Sequence, residues 1–282
     1  MKDKQEYFEL LEILLNIIDA NKDVPAGDDE RILDAEGLAL KFFSHAISAY
    51  YIYAGVNIPN LSTPIQNFTD ATSFNVVVRA AFETFCILQY IFVEPESKEE
   101  QDFKFLIWEH AGLFERQKFP VQSPQGKVQL EQEKKLIGQL QEKLETNRIF
   151  NACSHKEKRN ILNNGKWRLN SWREIAKSAG LSDTHSRTFY SYLCGYAHSS
   201  NLSITQWRQA RTNQERSQLS EATFGLLKIL MAYMIKSYCS IFKKSNECYI
   251  EKYENNQTVE IYLHVGSENI DDLEIDWDEV EK

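Results

Sequence analysis

Residues 74–93 read FNVVVRAAFETFCILQYIFV. Twenty residues of this character reach the length that a bilayer core requires. Arg79 and Glu83, however, stand near the middle, and each charge costs ~2.5–3.5 kcal/mol at the centre of an inserted helix. A helix buried in a soluble core, with one polar stripe, fits at lower cost, so no membrane is implied. Asp70 or Ser73 can supply the N-cap. Asn75, Arg79 and Glu83 follow at i, i+4 and i+8 and share one face. An Arg and a Glu four apart can pair, and inside a core they must, because an unpaired buried charge is expensive. Two readings stay open for this stripe. It is either a buried ion pair tying helices together, or a site whose Arg binds an anion and whose Glu orients that Arg.

Helical periodicity extends outward from this segment. Tyr7, Phe8, Leu11, Leu14, Leu15 and Ile18 recur at helical spacing, and a second helix over about 28–53 stops at Gly55. Residues 56–70, with Pro59 and Pro64, read as a loop. Pro95 stands where a fourth helix starts, and Pro120 and Pro124 end it. A charged helix over about 128–145 follows, then an irregular or short-helical stretch over 146–170. Ser171-Trp172-Arg173-Glu174 has the capping-box pattern of a short helix closed by Gly180. Helices are expected over about 184–198 and 218–243. Cys248–Tyr253 and Thr258–Val265 alternate around 254–257 and read as a β-hairpin. The expected fold is an all-α helical bundle over 1–245, with a small C-terminal β-hairpin and acidic tail in 246–282.

The chain has 282 residues and a net charge of −9, with 43% hydrophobic and 12% aromatic residues. Those shares exclude a collagenous, low-complexity or largely disordered chain. The charge is unevenly spread. Residues 1–126 hold 10 Lys/Arg against 20 Asp/Glu, residues 127–216 hold 16 against 8, and residues 217–282 hold 6 against 13. A basic middle therefore lies between acidic ends, which suits a local anionic partner or solvated helix faces. The five cysteines are odd in number and irregular in spacing, which points to a reducing compartment. With a polar start in place of a signal peptide, a cytoplasmic location is expected. No Gly-rich phosphate loop, nucleophile elbow or metalloprotease motif occurs, and no cofactor is expected.

A second constellation lies in residues 187–200, RTFYSYLCGYAHSS. Arg187, Ser191, Cys194 and His198 fall along one helical stripe, and His198 ends the helix beside two serines. A helix C-terminus favours a protonated imidazole. An Arg and a His on one strip can handle a phosphodiester, the Arg holding the phosphate and the His moving a proton. The competing reading is a His that caps carbonyls. Cys153, His155, Cys194 and His198 offer two Cys and two His, but their spacing matches no strong zinc pattern, and no metal is expected. Trp167-Arg168, Trp172-Arg173 and Trp207-Arg208 lie in the basic middle. Aromatics beside Arg suit unpaired bases and phosphates, and equally suit helix-packing anchors.

VVVRAAFETFCILQYIF and FYSYLCGYAHSS, with SWREIAKSAGL between them, resemble a family of bacterial helical proteins. That family is marked by an R-x-x-x-E helix and a distal Y-x-x-L-x-x-x-x-H segment, and is similar to the HEPN superfamily (higher eukaryotes and prokaryotes nucleotide-binding). The resemblance covers about residues 30–245. It implies a HEPN-like helical bundle, a homodimer, and metal-independent endoribonuclease activity in a bacterial defence or toxin–antitoxin system. Active members carry an Arg, four to six residues, then a His. Here Arg187 leaves ten residues before His198, so Arg79 on another helix is the candidate cation. The expected catalytic residues are Arg79, Glu83 and His198, with Arg168, Arg173, Arg187 and Tyr190 contacting RNA. The alternative expectation is a non-catalytic interaction module whose acidic tail binds a protein partner.

Overall fold

The structure is a computed structural model that describes residues 2–25, 27, 29–60 and 62–268. The periodic N-terminal residues form α1 (Lys2–Asp19), which buries Tyr7, Leu10, Leu14 and Ile17. Helix α2 (Ile32–Ala54) stops at Gly55, whose φ of 92° favours a residue without a Cβ. The segment expected as a loop carries a short antiparallel pair, β1 (Val56–Ile58) and β2 (Ile65–Phe68). Both prolines fall just outside the strands, where a missing N–H does no harm. Asp70 caps α3 (Ala71–Leu88) by accepting from the Ser73 N–H at 3.0 Å.

The described chain divides into two units, one drawn from Met1–Gln89 and Trp172–Lys282, the other from Tyr90–Ser171. The second unit is a helical insertion. After a π-helical turn (Gln89–Val93) come α4 (Lys98–Arg116), α5 (Pro124–Thr146), α6 (Arg148–Ala152) and α7 (His155–Asn164). Ser97 and Ser123 cap α4 and α5, and Ser154 with Glu157 forms a capping box on α7. Phe103, Ile107, Leu144, Phe150 and Ile161 make this unit's own core. Lys104 is buried there between Glu94 at 3.0 Å and Glu100 at 2.8 Å, so its charge is matched.

The first unit resumes with α8 (Trp172–Ser178), a π-helical stretch (Thr184–Phe189), α9 (Tyr190–Ala197), α10 (Asn201–Gln209), α11 (Asn213–Ile241), α12 (Lys243–Tyr253) and α13 (Gln257–Ser267). Its centre is α11, on which every residue from Leu226 to Ile235 is buried. Helix α3 packs on α2, α9 and α11, and α11 also meets α1, α12 and α13. Phe74, Val78, Phe82 and Phe85 of α3 are fully buried, each contributing roughly 1.5–3 kcal/mol. Ala71–Val93 and Asn213–Ile241 are the two helices long and apolar enough to cross a membrane among the described residues, and most of each is buried inside the fold.

The expected C-terminal β-hairpin is helix α12, a turn, and helix α13. Packing explains the correction. Ser245 of α12 is buried and donates to the Ile17 carbonyl at 2.7 Å. Asn256 caps α13 by accepting from the Val259 N–H, and Val259 and Gly266 are buried. A Cβ on Gly266 would stand 2.6 Å from Tyr233, so α13 lies as close to α11 as its backbone allows. These helices also hold the N-terminal helix. Asn16 donates to the Tyr253 hydroxyl at 2.6 Å, Thr258 donates to Glu9 at 2.7 Å, and Tyr262 donates to Glu6 at 2.7 Å. The expected boundary between 245 and 246 therefore falls inside α12, within one packed unit. The acidic tail beyond Glu268 lies outside the described residues.

Candidate functional site

The stripe on α3 splits by depth. Asn75 is fully buried, donates to the Ala71 carbonyl at 2.7 Å, and accepts from the Thr223 hydroxyl of α11 at 2.6 Å. It serves the core. One and two turns later the stripe faces α9 and rises toward solvent. Arg79 Nη2 reaches Glu83 Oε1 at 3.0 Å, with the two side chains 23% and 27% exposed. The ion pair forms as expected, but at a margin and not in the interior.

Helix α9 supplies the rest. The Tyr190 hydroxyl donates to the same Glu83 oxygen at 2.9 Å, while its ring stacks on Phe82 with centroids 5.1 Å apart. The Arg79 guanidinium carbon lies 5.9 Å from the centre of that ring. Burial and the Glu83 carboxylate push the Tyr190 hydroxyl well above the ordinary tyrosine range, so it stays a donor throughout neutral pH. Burial opposes the Arg79 charge, but Tyr190 and Glu83 outweigh it and the guanidinium stays protonated. The Arg79 Nε is buried with no hydrogen-bond partner, a cost of about 1–3 kcal/mol.

His198 closes α9 as its C-cap and is exposed. Its Nε2 lies 3.4 Å from Arg79 Nη1. Arg can only donate, so any hydrogen bond here is accepted by Nε2. Ser199 follows at a φ of 50°, and Ser200 caps α10, its N–H bonded to the Gly195 carbonyl at 2.8 Å. This tight turn fixes His198 at the mouth of the cluster. Arg79, Glu83, Tyr190 and His198 thus form one group from two helices, with a guanidinium and an imidazole side by side. An anion placed between them would meet Arg79 directly.

The other expected residues lie elsewhere. Arg187 is exposed in the π-helical stretch before α9, where the wider turn breaks the α-helical stripe assumed from spacing. Arg173 pairs with Asp183 at 3.1 Å, and Arg168 of the second unit donates to the Asn170 carbonyl at 2.8 Å. Tyr190, expected to touch RNA, is turned inward to Glu83 and positions it. Among the described residues, no group of three or more His, Cys, Asp and Glu could hold a metal ion. His110 and His185 are buried, and burial lowers both pKa values. The sequence reading missed Phe68 and Arg216, which meet Trp207 from positions far apart in the chain.

No curated protein and no solved structure matches the chain. One family model does, over residues 67–216, a span that runs from β2 to the first turn of α11 and encloses Arg79, Glu83, Tyr190 and His198. That match covers just over half of the chain, which therefore belongs to the family described as a family of unknown function, DUF5677.

Proposed function

We propose that the Arg79–Glu83–Tyr190–His198 cluster is the site of a HEPN-like, metal-independent endoribonuclease of a bacterial defence or toxin-like system. The observation that carries this reading is the 3.4 Å approach of His198 to Arg79 at an exposed helix end. The cation that active HEPN proteins place four to six residues before the His is here supplied by a neighbouring helix. The RNA 2′-oxygen attacks the adjacent phosphorus, the P–O5′ bond breaks, and a 2′,3′-cyclic phosphate and a free 5′-hydroxyl result. Arg79 stabilises the charge on the pentacoordinate phosphorus, as fixed donors do for developing oxyanions. His198 acts as the general acid that delivers a proton to O5′, while solvent accepts the proton of the 2′-hydroxyl. Glu83, held by Tyr190, fixes the direction of the guanidinium.

The test is cleavage of total RNA in EDTA by wild type and by His198→Ala. His198 is exposed, so the variant should fold normally and lose activity by at least the 10²-fold typical of a proton-transfer group. Equal cleavage by both folded proteins, or none by wild type, removes the ribonuclease reading. One observation favours a protein-binding reading instead: Leu202 and Ile204 of α10, just beyond His198, are 61% and 52% exposed.

A further inference from the structure

Phe68, Trp207 and Arg216 converge from β2, α10 and the first turn of α11. The Arg216 guanidinium carbon lies 4.6 Å from the Trp207 ring centre and 5.4 Å from that of Phe68. The two rings meet edge to face at 6.3 Å. Arg216 Nε donates to the Ala210 carbonyl at 3.3 Å, which fixes the guanidinium plane. Thr212 and Glu215 form the capping box that starts α11, so the turn carrying Arg216 is itself anchored. Among the described residues no carboxylate pairs with Arg216, and all three side chains are half-buried.

Covering two rings requires only an aliphatic stem. A planar, uncompensated guanidinium locked against two aromatics offers more, namely a π-face beside a cation that can grip phosphate. Arg208 and Arg211 are exposed nearby, and residues 197–214 contain no Asp or Glu. Distances along the helices place this cluster relative to the reactive pair. Trp207 lies about 10 Å along α10 from its Ser200 cap, and Arg79 about 13 Å along α3 from Asp70, at 1.5 Å per residue. Contacts close both ends, Arg79 with His198 and Phe68 with Trp207. Trp207 and His198 therefore sit at opposite ends of α10.

We infer that Trp207, Phe68 and Arg216 form a stacking platform for one unpaired base of a single-stranded RNA whose scissile bond faces Arg79 and His198 at the other end of α10. Arg208 and Arg211 contact the phosphates beside that base. This rests on the RNA-directed reading above and adds to it the strand form of the substrate and the path it takes.

The test measures binding of a labelled single-stranded RNA of about 12 nucleotides, and of a dinucleotide, by fluorescence anisotropy on the non-cleaving His198→Ala background. Trp207→Ala should weaken binding of the longer RNA about ten-fold, as loss of one stacked base does, while Trp207→Phe retains most of it. The dinucleotide, too short to reach the platform, should bind equally to all three. Arg208→Ala with Arg211→Ala, both exposed, should make the logarithmic salt dependence shallower by roughly 1.4, about 0.7 for each lost phosphate contact. If RNA binds but neither Trp207→Ala nor the double Arg variant changes affinity or salt dependence, the platform is refuted and the RNA reading stands. If wild type neither binds nor cleaves any RNA, both fall.

Discussion

Replacing Tyr190 by Phe deletes one hydroxyl and leaves the ring on Phe82. That hydroxyl donates to Glu83 Oε1 at 2.9 Å, the oxygen that Arg79 also reaches at 3.0 Å. A hydrogen bond to a charged group contributes ~1.5–3 kcal/mol. Glu83 is 27% exposed, so water recovers part of it, and the expected loss for Tyr190→Phe is about 1 kcal/mol. Glu83→Gln keeps the shape but removes the charge; a partly exposed i,i+4 pair contributes about 0.5–1 kcal/mol, and the Tyr190 bond weakens with it. The expected loss is then about 1.5 kcal/mol. Because both partners share one oxygen, the two losses should overlap, with a coupling of about 0.5–1 kcal/mol in a double-mutant cycle. Urea denaturation of wild type, the two single variants and the double variant at pH 7 measures it. A coupling below about 0.3 kcal/mol, the ordinary scatter of additivity, would refute the claim that Tyr190 holds Glu83.

Gly266→Ala places a Cβ within 2.6 Å of Tyr233 and 2.7 Å of Ile229, so overpacking of about 1–3 kcal/mol should outweigh the roughly 1 kcal/mol gain in helix propensity. A melting temperature equal to or above that of wild type would show that α13 can shift away at no cost. Burial lowers the pKa of His45, His110 and His185, so below the ordinary histidine value the unfolded chain binds more protons than the folded one. Stability from these groups is therefore intact above about pH 6.5 and falls as the pH drops below it. Thermal melts from pH 7 to pH 5 should show a declining midpoint, less steep in His185→Gln; a flat profile would contradict the burial of these rings.

The helices of α3 and α9 were legible because their signals are local. Asp70 before an apolar run marks a start, and Asn75, Arg79 and Glu83 at four-residue spacing mark a face. The pairing of Arg79 with His198 was not legible, since 119 residues separate them and only tertiary packing brings them together. The C-terminal helices were misread for a related reason. Thr258–Val265 alternates and is rich in β-branched residues, a pattern that suits a strand in isolation. The Asn256 cap and the close fit of Gly266 to Tyr233 decide for helix, and the second depends on α11 being present. The start of α11 was within reach: Thr212-x-x-Glu215 is a capping-box pattern, and it places the helix five residues before the apolar periodicity becomes evident. The platform at Trp207 depends on Phe68 and Arg216, whose proximity no sequence spacing encodes.

The hold of α12 and α13 on α1 sets a timetable for synthesis. Glu6, Glu9 and Asn16 emerge early, yet their partners Tyr262, Thr258 and Tyr253 emerge more than 230 residues later. At 5–20 residues per second, that wait is on the order of 10–50 s. The inserted second unit has its own core and can fold during this interval, which shortens the loop that α9 must close to reach α3. Until α12 and α13 arrive, the first unit lacks the elements that clasp α1. The clasp on α1, though it holds the first helix to be made, is therefore among the contacts of this unit that form late.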